Sequence, residues 1–203
     1  MTHLLRTLAI TAFTAVSVAL GGCVFETKDN IFPTDSGDVL PLNGKLMCQN
    51  YGNNGRPEDA PGFVHLILLK NGTARQYLWI GSPLLEGTKE GTPFVAYRVV
   101  DDTFLFVQSK GVNEPGQRTG QMIFVVQVTA TQLGLRNYET ARVVEIARKY
   151  PMIRINEGKF NWKSMSGHKF AQRQFLFNLA ASTEGSRVVM KCERAPGNES
   201  DPK

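Results

Sequence analysis

The chain has 203 residues, which suits one domain that buries about 70 per cent of the surface its unfolded form exposes, and we do not expect a second domain. It contains only three histidines and three cysteines, too few for most metal and catalytic sites that use these residues. The formal net charge is +5, and the basic excess is concentrated in residues 136–173.

The first 22 residues have the pattern of an export signal. His3 and Arg6 make the start weakly basic, and an uncharged apolar run follows over residues 8–20. A membrane span needs about 20 apolar residues. The shorter run therefore predicts a signal peptide, residues 1–22, that is removed from the mature protein.

The signal ends in Leu20-Gly21-Gly22-Cys23. This tetrapeptide resembles the lipobox of bacterial lipoproteins, in which a Leu-like residue and two small residues precede the lipidated cysteine. The resemblance implies cleavage before Cys23, a diacylglyceryl group on its sulfur and a further acyl chain, such as palmitate, on its amino group. Two or three chains anchor a protein firmly. The alternative is ordinary secretory cleavage after Gly21 or Gly22, which leaves Cys23 as a free thiol.

The residue after the lipidated cysteine implies a destination. In Gram-negative lipoproteins an Asp at this position tends to hold the protein at the inner membrane, and this chain has Val24. The resemblance thus implies an outer-membrane anchor with the domain facing the periplasm, where nucleic acid is not a partner. Residues 23–38 are polar and include Pro33 and Gly37, so we predict a flexible tether that spans roughly 20 Å.

Residues 39–194 are predicted to form one β-rich domain, and residues 195–203 a disordered tail. Short runs of β-branched and aromatic residues alternate with turn residues, which is typical of an antiparallel sheet. The pairs Asn-Gly at 71–72 and Asp-Asp at 101–102 predict tight hairpins. The predicted strands cover residues 39–49, 62–70, 74–81, 93–100, 103–109, 121–129, 131–137 and 186–193.

Several predicted strands are apolar on both faces, including the one at residues 62–70. Antiparallel sheets usually leave one face in water, so both faces of such a strand need a cover. Helical patterns at 139–150, before Pro151, and at 169–181 could supply it. We predict a mainly β (α+β) fold, either a closed antiparallel barrel with one or two packed helices or two sheets sandwiched under helices. The barrel resembles lipocalins in architecture.

Export also bears on the remaining cysteines. With Cys23 assigned to lipid, Cys48 and Cys192 form an even pair in an oxidising compartment, near opposite ends of the folded region. We predict a disulfide between them. Two buried thiols are the alternative.

Aromatic side chains suggest a ligand pocket at the mouth of the barrel. They could line an apolar cavity for a small molecule or lipid, the usual ligand position in this architecture. The alternative is an ordinary packed core. The candidate pocket residues are Tyr77, Trp79, Phe94, Tyr97, Phe104, Phe106 and Phe124.

No motif predicts a catalytic residue, a metal site or a cofactor. We expect His65 to be a core or cavity-facing histidine and His168 to be exposed. A Gly-x-Ser-x-Gly nucleophile motif is missing. Asp101 and Asp102 are predicted to form a turn rather than to act as acid and base.

These features favour a non-enzymatic envelope protein that acts through protein or membrane contacts. The basic region 136–173 could contact an anionic surface, or it could be a solvated face. A lipocalin-like carrier of an apolar molecule is the second hypothesis, and an enzyme of unrecognised type is the third.

Overall fold

The computed structural model describes residues 24–71, 74–81, 91–109, 120–157 and 163–196. The predicted signal peptide, the predicted lipidation site Cys23 and most of the predicted tail, residues 197–203, lie outside these ranges.

The described residues form eleven strands and two helices. The strands are β1 Val24–Thr27, β2 Gly44–Asn50, β3 Gly62–Asn71, β4 Ala74–Ile80, β5 Thr92–Val100, β6 Thr103–Ser109, β7 Gln121–Val128, β8 Gln132–Tyr138, β9 Ile153–Glu157, β10 Lys163–Gly167 and β11 Ser186–Arg194. The helices are α1 Thr140–Ala147, between β8 and β9, and α2 Lys169–Ala181, between β10 and β11.

Eight of the strands close into an antiparallel barrel. From β2 to β8 each strand pairs with the next one along the chain, β8 pairs with β11, and β11 pairs with β2. The predicted mainly β fold, a closed antiparallel barrel with helices packed outside, is confirmed. The two-sheet sandwich is not formed, because β6 and β7 are hydrogen-bonded along their whole length.

Three short strands form a side sheet on the barrel, consisting of β1, β10 and β9. β1 pairs with the first half of β7, from which β8 has already diverged, since β8 pairs only with residues 125–128. β10 runs parallel to β1, and β9 completes the sheet antiparallel to β10. The side sheet thus extends from β7 away from the barrel.

The apolar side chains form two cores, one on each side of the barrel wall. The interior core fills the barrel, while the outer core lies between the wall, the side sheet and both helices. Alternate residues of the wall supply both, as the predicted two-faced strands require. The outer core includes Leu105, Val107, Ile123 and Val125 from the wall, Phe25 and Met165 from the side sheet, and Val143, Ile146, Phe175, Leu176 and Leu179 from the helices.

The predicted elements agree with the structure over most of the domain. α2 has the predicted bounds, and α1 is shorter than the predicted 139–150 because a turn begins at Arg148, before Pro151. Val100 pairs with Thr103, which confirms the hairpin at 101–102. Asn71 pairs with Ala74, so β3 and β4 are antiparallel neighbours as the other predicted hairpin requires, and Gly72 of its predicted turn lies outside the described residues.

The predicted tether is wrong for residues 24–38. Val24, Phe25 and Thr27 are buried in β1, and Ile31 and Phe32 are buried after it. Short apolar groups among polar residues are typical of a linker. In the structure they are buried because β7 and β10, which are far away in sequence, lie beside β1. β9 and β10 were missed for the same reason, and the strand predicted at 39–49 begins only at Gly44.

The predicted tail is wrong at its first residue. Ala195 is buried, and its backbone N–H donates to the carbonyl of Lys45 at 3.0 Å. This bond extends the β2–β11 seam by one residue beyond Arg194.

Candidate functional site

The barrel interior contains a small apolar cavity near one end. The cavity is lined by Gln108 and by four of the predicted pocket residues, Trp79, Phe94, Phe106 and Phe124. The cavity volume is about 20 Å³, which is room for about one water molecule. The interior is therefore nearly filled by its own side chains. Val126 and Leu135 complete the lining.

The other predicted pocket residues do not line the cavity. Tyr77 and Phe104 are buried in the interior core, where Tyr77 stacks on Phe94 with ring centroids 5.6 Å apart. Burial raises the pKa of Tyr77, and its hydroxyl accepts a hydrogen bond from the Leu40 N–H at 2.7 Å. The assignment of Tyr97 to the pocket is wrong. Because side chains alternate along β5, Tyr97 points outward and packs against Phe32 at 4.9 Å.

Two polar groups of residues that line the cavity have no hydrogen-bond partner among the described residues. They are the indole N–H of Trp79 and the amide oxygen of Gln108, and both atoms are buried. Buried polar groups without partners are uncommon in folded proteins. Neither atom is exposed to the cavity, whose lining surface is apolar.

The predicted disulfide is confirmed. Cys48 on β2 and Cys192 on β11 are directly opposite in register and joined by an S–S bond. Because β2 and β11 are the first and last strands of the barrel, this bond closes its seam covalently. It faces the interior, where both residues are buried.

The outer face of β2, β3 and the later half of β4 carries exposed and half-buried side chains, while at the start of β4 the Gln76 side chain donates to the carbonyl of Thr34, in the segment after β1, at 2.9 Å. We call this surface the open wall. Phe63 and Ile67 on β3 are 53% and 40% exposed, opposite Met47 on β2 and Leu78 on β4 respectively. Lys45 lies over the ring of Phe63, 4.2 Å from its centroid. The wall therefore has an apolar strip across three strands, which we call the apolar strip, with His65 between Phe63 and Ile67 and a cation beside Phe63.

His65 lies on the open wall, opposite Ile80 and Lys45, and is exposed. The expectation of a core or cavity-facing histidine is wrong, because β3 is apolar on both faces and sequence alone does not say which face is covered. His168 is exposed, as predicted, and precedes α2.

The structure places seven of the nine Lys and Arg residues of the basic region 136–173 in three groups, while Arg173 is half-buried and Lys159 lies outside the described residues. Arg136 and Lys163 are buried, and Arg136 donates to the amide oxygen of Gln127 at 3.0 Å. Arg142 forms ion pairs with Glu145 and Glu184 at 2.7 and 3.0 Å, and its guanidinium lowers the pKa of the Glu145 carboxyl. The third group is exposed and comprises Arg148, Lys149, Arg154 and Lys169.

The remaining candidate polar residues lie on separate elements. His65 is on β3, Asp102 is in the β5–β6 turn, and His168 precedes α2. Within the described residues, no three His, Cys, Asp or Glu side chains are grouped so that they could hold a metal ion. Among the same residues, no helix is long and apolar enough to cross a membrane.

Sequence reasoning missed the open wall as a surface, although its signal was visible in the two-faced strand at residues 62–70. Two further exposed apolar residues, Met152 and Phe170, carried no signal in sequence. Comparison with protein-family models, with curated proteins and with solved structures finds no match to this chain.

Proposed function

We propose that this protein is a non-enzymatic, lipid-anchored protein of the bacterial outer membrane that binds another protein through its open wall. The observation that carries the proposal is the apolar strip formed by Phe63, Ile67 and their cross-strand neighbours Met47 and Leu78. Contiguous exposed apolar surface on a folded domain commonly marks an interaction site. The lipobox resemblance of Leu20 to Cys23 supplies the location.

The chemistry of the wall supports a protein partner. An apolar centre with charged groups at its rim is the usual composition of a protein interface. Lys45 stands beside the ring of Phe63, and Lys191 on the neighbouring β11 is paired with Glu193 at 2.7 Å. We therefore expect a partner surface with apolar side chains at its centre and a carboxylate that reaches Lys45.

The partner can be sought by crosslinking in the native envelope. A photo-reactive amino acid at position 67 should capture one specific protein, while the same group at position 102 should not, because Asp102 lies in the exposed β5–β6 turn. The substitution Ile67→Glu should abolish co-purification of that protein. Equal products from both positions, or none from position 67, would count against the proposal. A product of twice the chain's own mass would replace it with self-association.

The anchor is tested separately by intact mass. Protein purified from its native membrane should have the mass of residues 23–203 plus acyl groups, and the substitution Cys23→Ser should remove the acyl mass. An unmodified mass in a soluble fraction would contradict the lipid anchor without bearing on the open wall.

A second candidate function is that of a carrier, favoured by the apolar cavity in the barrel interior. Because the cavity is small and its lining is apolar, a ligand that entered it would itself be small and apolar. Native mass spectrometry of the membrane-extracted protein should then detect a bound molecule, and Trp79→Phe should weaken its retention. The ligand-free mass alone would contradict a carrier role, as the nearly filled interior already leads us to expect for large ligands.

A further inference from the structure

Two adjacent turns at one end of the side sheet place basic and apolar side chains together. We call them the basic tip, residues 148–154 and 167–170. The N–H of His168 donates to the carbonyl of Met152 at 3.1 Å. Gly167, with φ of 120°, approaches the same carbonyl so closely that any side chain there would clash. The fold therefore holds the two turns against each other.

The basic tip is unusually apolar for an exposed surface. Met152 and Phe170 are 60% and 61% exposed, the highest values among the large apolar side chains of the described residues. Neither sits on the open wall, since they follow α1 and begin α2 respectively. Their exposure is therefore a separate observation from the apolar strip on β3.

The same tip carries four exposed cations and no acidic residue within its two segments. The nearest acids along the chain are Glu145 and Glu157, each three residues from the tip. Glu145 binds Arg142 and also faces two of the cations, and Glu157 lies at the far end of β9 from the tip. Apolar side chains that protrude among Lys and Arg match the chemistry of an anionic bilayer, which takes up the apolar groups and attracts the cations. The four cations are Arg148, Lys149, Arg154 and Lys169.

We propose that the basic tip inserts Met152 and Phe170 into the surface of an anionic lipid bilayer, as a second membrane contact beside the anchor. The inference rests on the proposed membrane location. Phe25 pairs with Lys163 at the far end of the side sheet from Gly167. At about 3.3 Å per residue, residue 24 and Gly167 lie about 17 Å apart along this sheet. Two contacts at that spacing fix the orientation of the domain.

This orientation leaves the open wall free. The side sheet joins the barrel at β7, and β3 lies four strands from β7 in either direction around the eight-stranded barrel. A domain that rests on its side sheet and basic tip therefore directs β3 away from the bilayer. Because β1 follows residue 23 without a tether, the anchor holds the domain in this position instead of letting it tumble.

The test uses the chain from residue 23 onward with Cys23→Ser, since the whole described fold lies within residues 24–196. This unlipidated protein should sediment with vesicles of phosphatidylglycerol and phosphatidylcholine, and not with phosphatidylcholine alone. Binding should fall as salt is raised. We expect Phe170→Ser to weaken it about tenfold, and Lys149→Gln or Arg154→Gln about fivefold each.

The matched control is Phe63→Ser on the open wall, which should leave vesicle binding unchanged. Circular dichroism of each variant checks that the fold persists. The proposal is overturned if no binding to the anionic vesicles occurs, or if Phe63→Ser weakens it as much as Phe170→Ser. It is also overturned if soluble dextran sulfate binds equally well and Phe170→Ser has no effect, since the tip would then recognise acidic polymers. If the native protein carries no acyl mass, the lipid anchor is contradicted, but the result of the vesicle experiment is unaffected.

Discussion

The open wall, β2–β4, and the opposite wall, β5–β7, have the same kind of sequence and different surroundings. On the covered side, Leu105 and Ile123 point outward and are fully buried by α2 and the side sheet. On the open side, Phe63 and Ile67 also point outward and remain about half exposed. An apolar outward face thus suggests that the surface is covered, but it does not say by what. On the β5–β7 side the helices and the side sheet of this chain cover it, whereas the exposed residues of the open wall have no such cover among the described elements.

The difference arises from where the covering segments attach. β1 pairs with β7, and the excursion from α1 to α2 leaves the barrel after β8, pairs with β1 through β10 and returns before β11, so these segments can reach the outer faces of β6 and β7. The open wall instead lies beside the seam between the first and last barrel strands. The Cys48–Cys192 bond stabilises the open wall at this seam. The covered wall is stabilised by the outer core that packs against it.

Among the substitutions that distinguish the two walls, removal of the disulfide should lower the free energy of unfolding the most. The double substitution Cys48→Ala and Cys192→Ala releases a loop of 144 residues, which should lower the free energy of unfolding by about 5 kcal/mol in the chain-entropy model. Urea unfolding followed by fluorescence measures the loss. Hydrogen exchange should rise most at β2 and β11. A uniform rise over the outer core as well would show that the covered wall depends on the seam.

A matched pair of phenylalanines distinguishes the two walls directly. Phe175 of α2 is fully buried and packs edge-on against Phe25 at 5.8 Å, so Phe175→Ala should cost about 3–5 kcal/mol of unfolding free energy. Phe63→Ala on the open wall should cost less than about 1 kcal/mol, since it loses only a half-exposed ring and its contact with Lys45. Thermal unfolding of both variants measures the contrast. Similar losses would mean that the open wall is covered in solution.

The segment after β1 is fixed to the covered wall by one buried side chain. The amide oxygen of Gln121 accepts from the N–H groups of Ile31 and Phe32, both at 2.9 Å, and its amide nitrogen donates to the carbonyl of Phe32 at 2.7 Å. Gln121→Leu leaves three backbone groups without partners, which should cost about 2–3 kcal/mol.

The same substitution tests the correction of the tether. Hydrogen exchange at Ile31 and Phe32 should accelerate in Gln121→Leu and stay unchanged in the control Gln132→Leu, because Gln132 is exposed on β8. If exchange at these two amides is already fast in the unmodified protein, residues 24–38 behave as a tether after all.

Local pattern sufficed for the barrel and for the disulfide. Each barrel strand is a run of β-branched and aromatic residues bounded by turn residues, as at Asp101 and Asp102, and the predicted export indicated the pairing of Cys48 with Cys192. The side sheet was not predictable, because four or five residues such as Val24–Thr27 form a strand only when β7 and β10 lie beside them. The basic tip depends on a contact between Met152 and His168 across two turns, which no spacing in the sequence encodes.

The smallest predicted effect concerns the β5–β6 turn on the covered wall. Asp101 has a φ of 42°, the only positive value at a non-glycine among the described residues. A left-handed conformation costs a residue with a Cβ about 1–2 kcal/mol, and glycine gives back part of that gain through its greater unfolded-state entropy. Asp101→Gly should therefore raise the unfolding free energy by about 0.5 kcal/mol. Asp102→Gly, where φ is not positive, should lower it by about 0.5–1 kcal/mol. Differential scanning calorimetry of the two variants should show melting temperatures that move in opposite directions, and a shift of the same sign in both would mean that turn strain at Asp101 does not limit this hairpin.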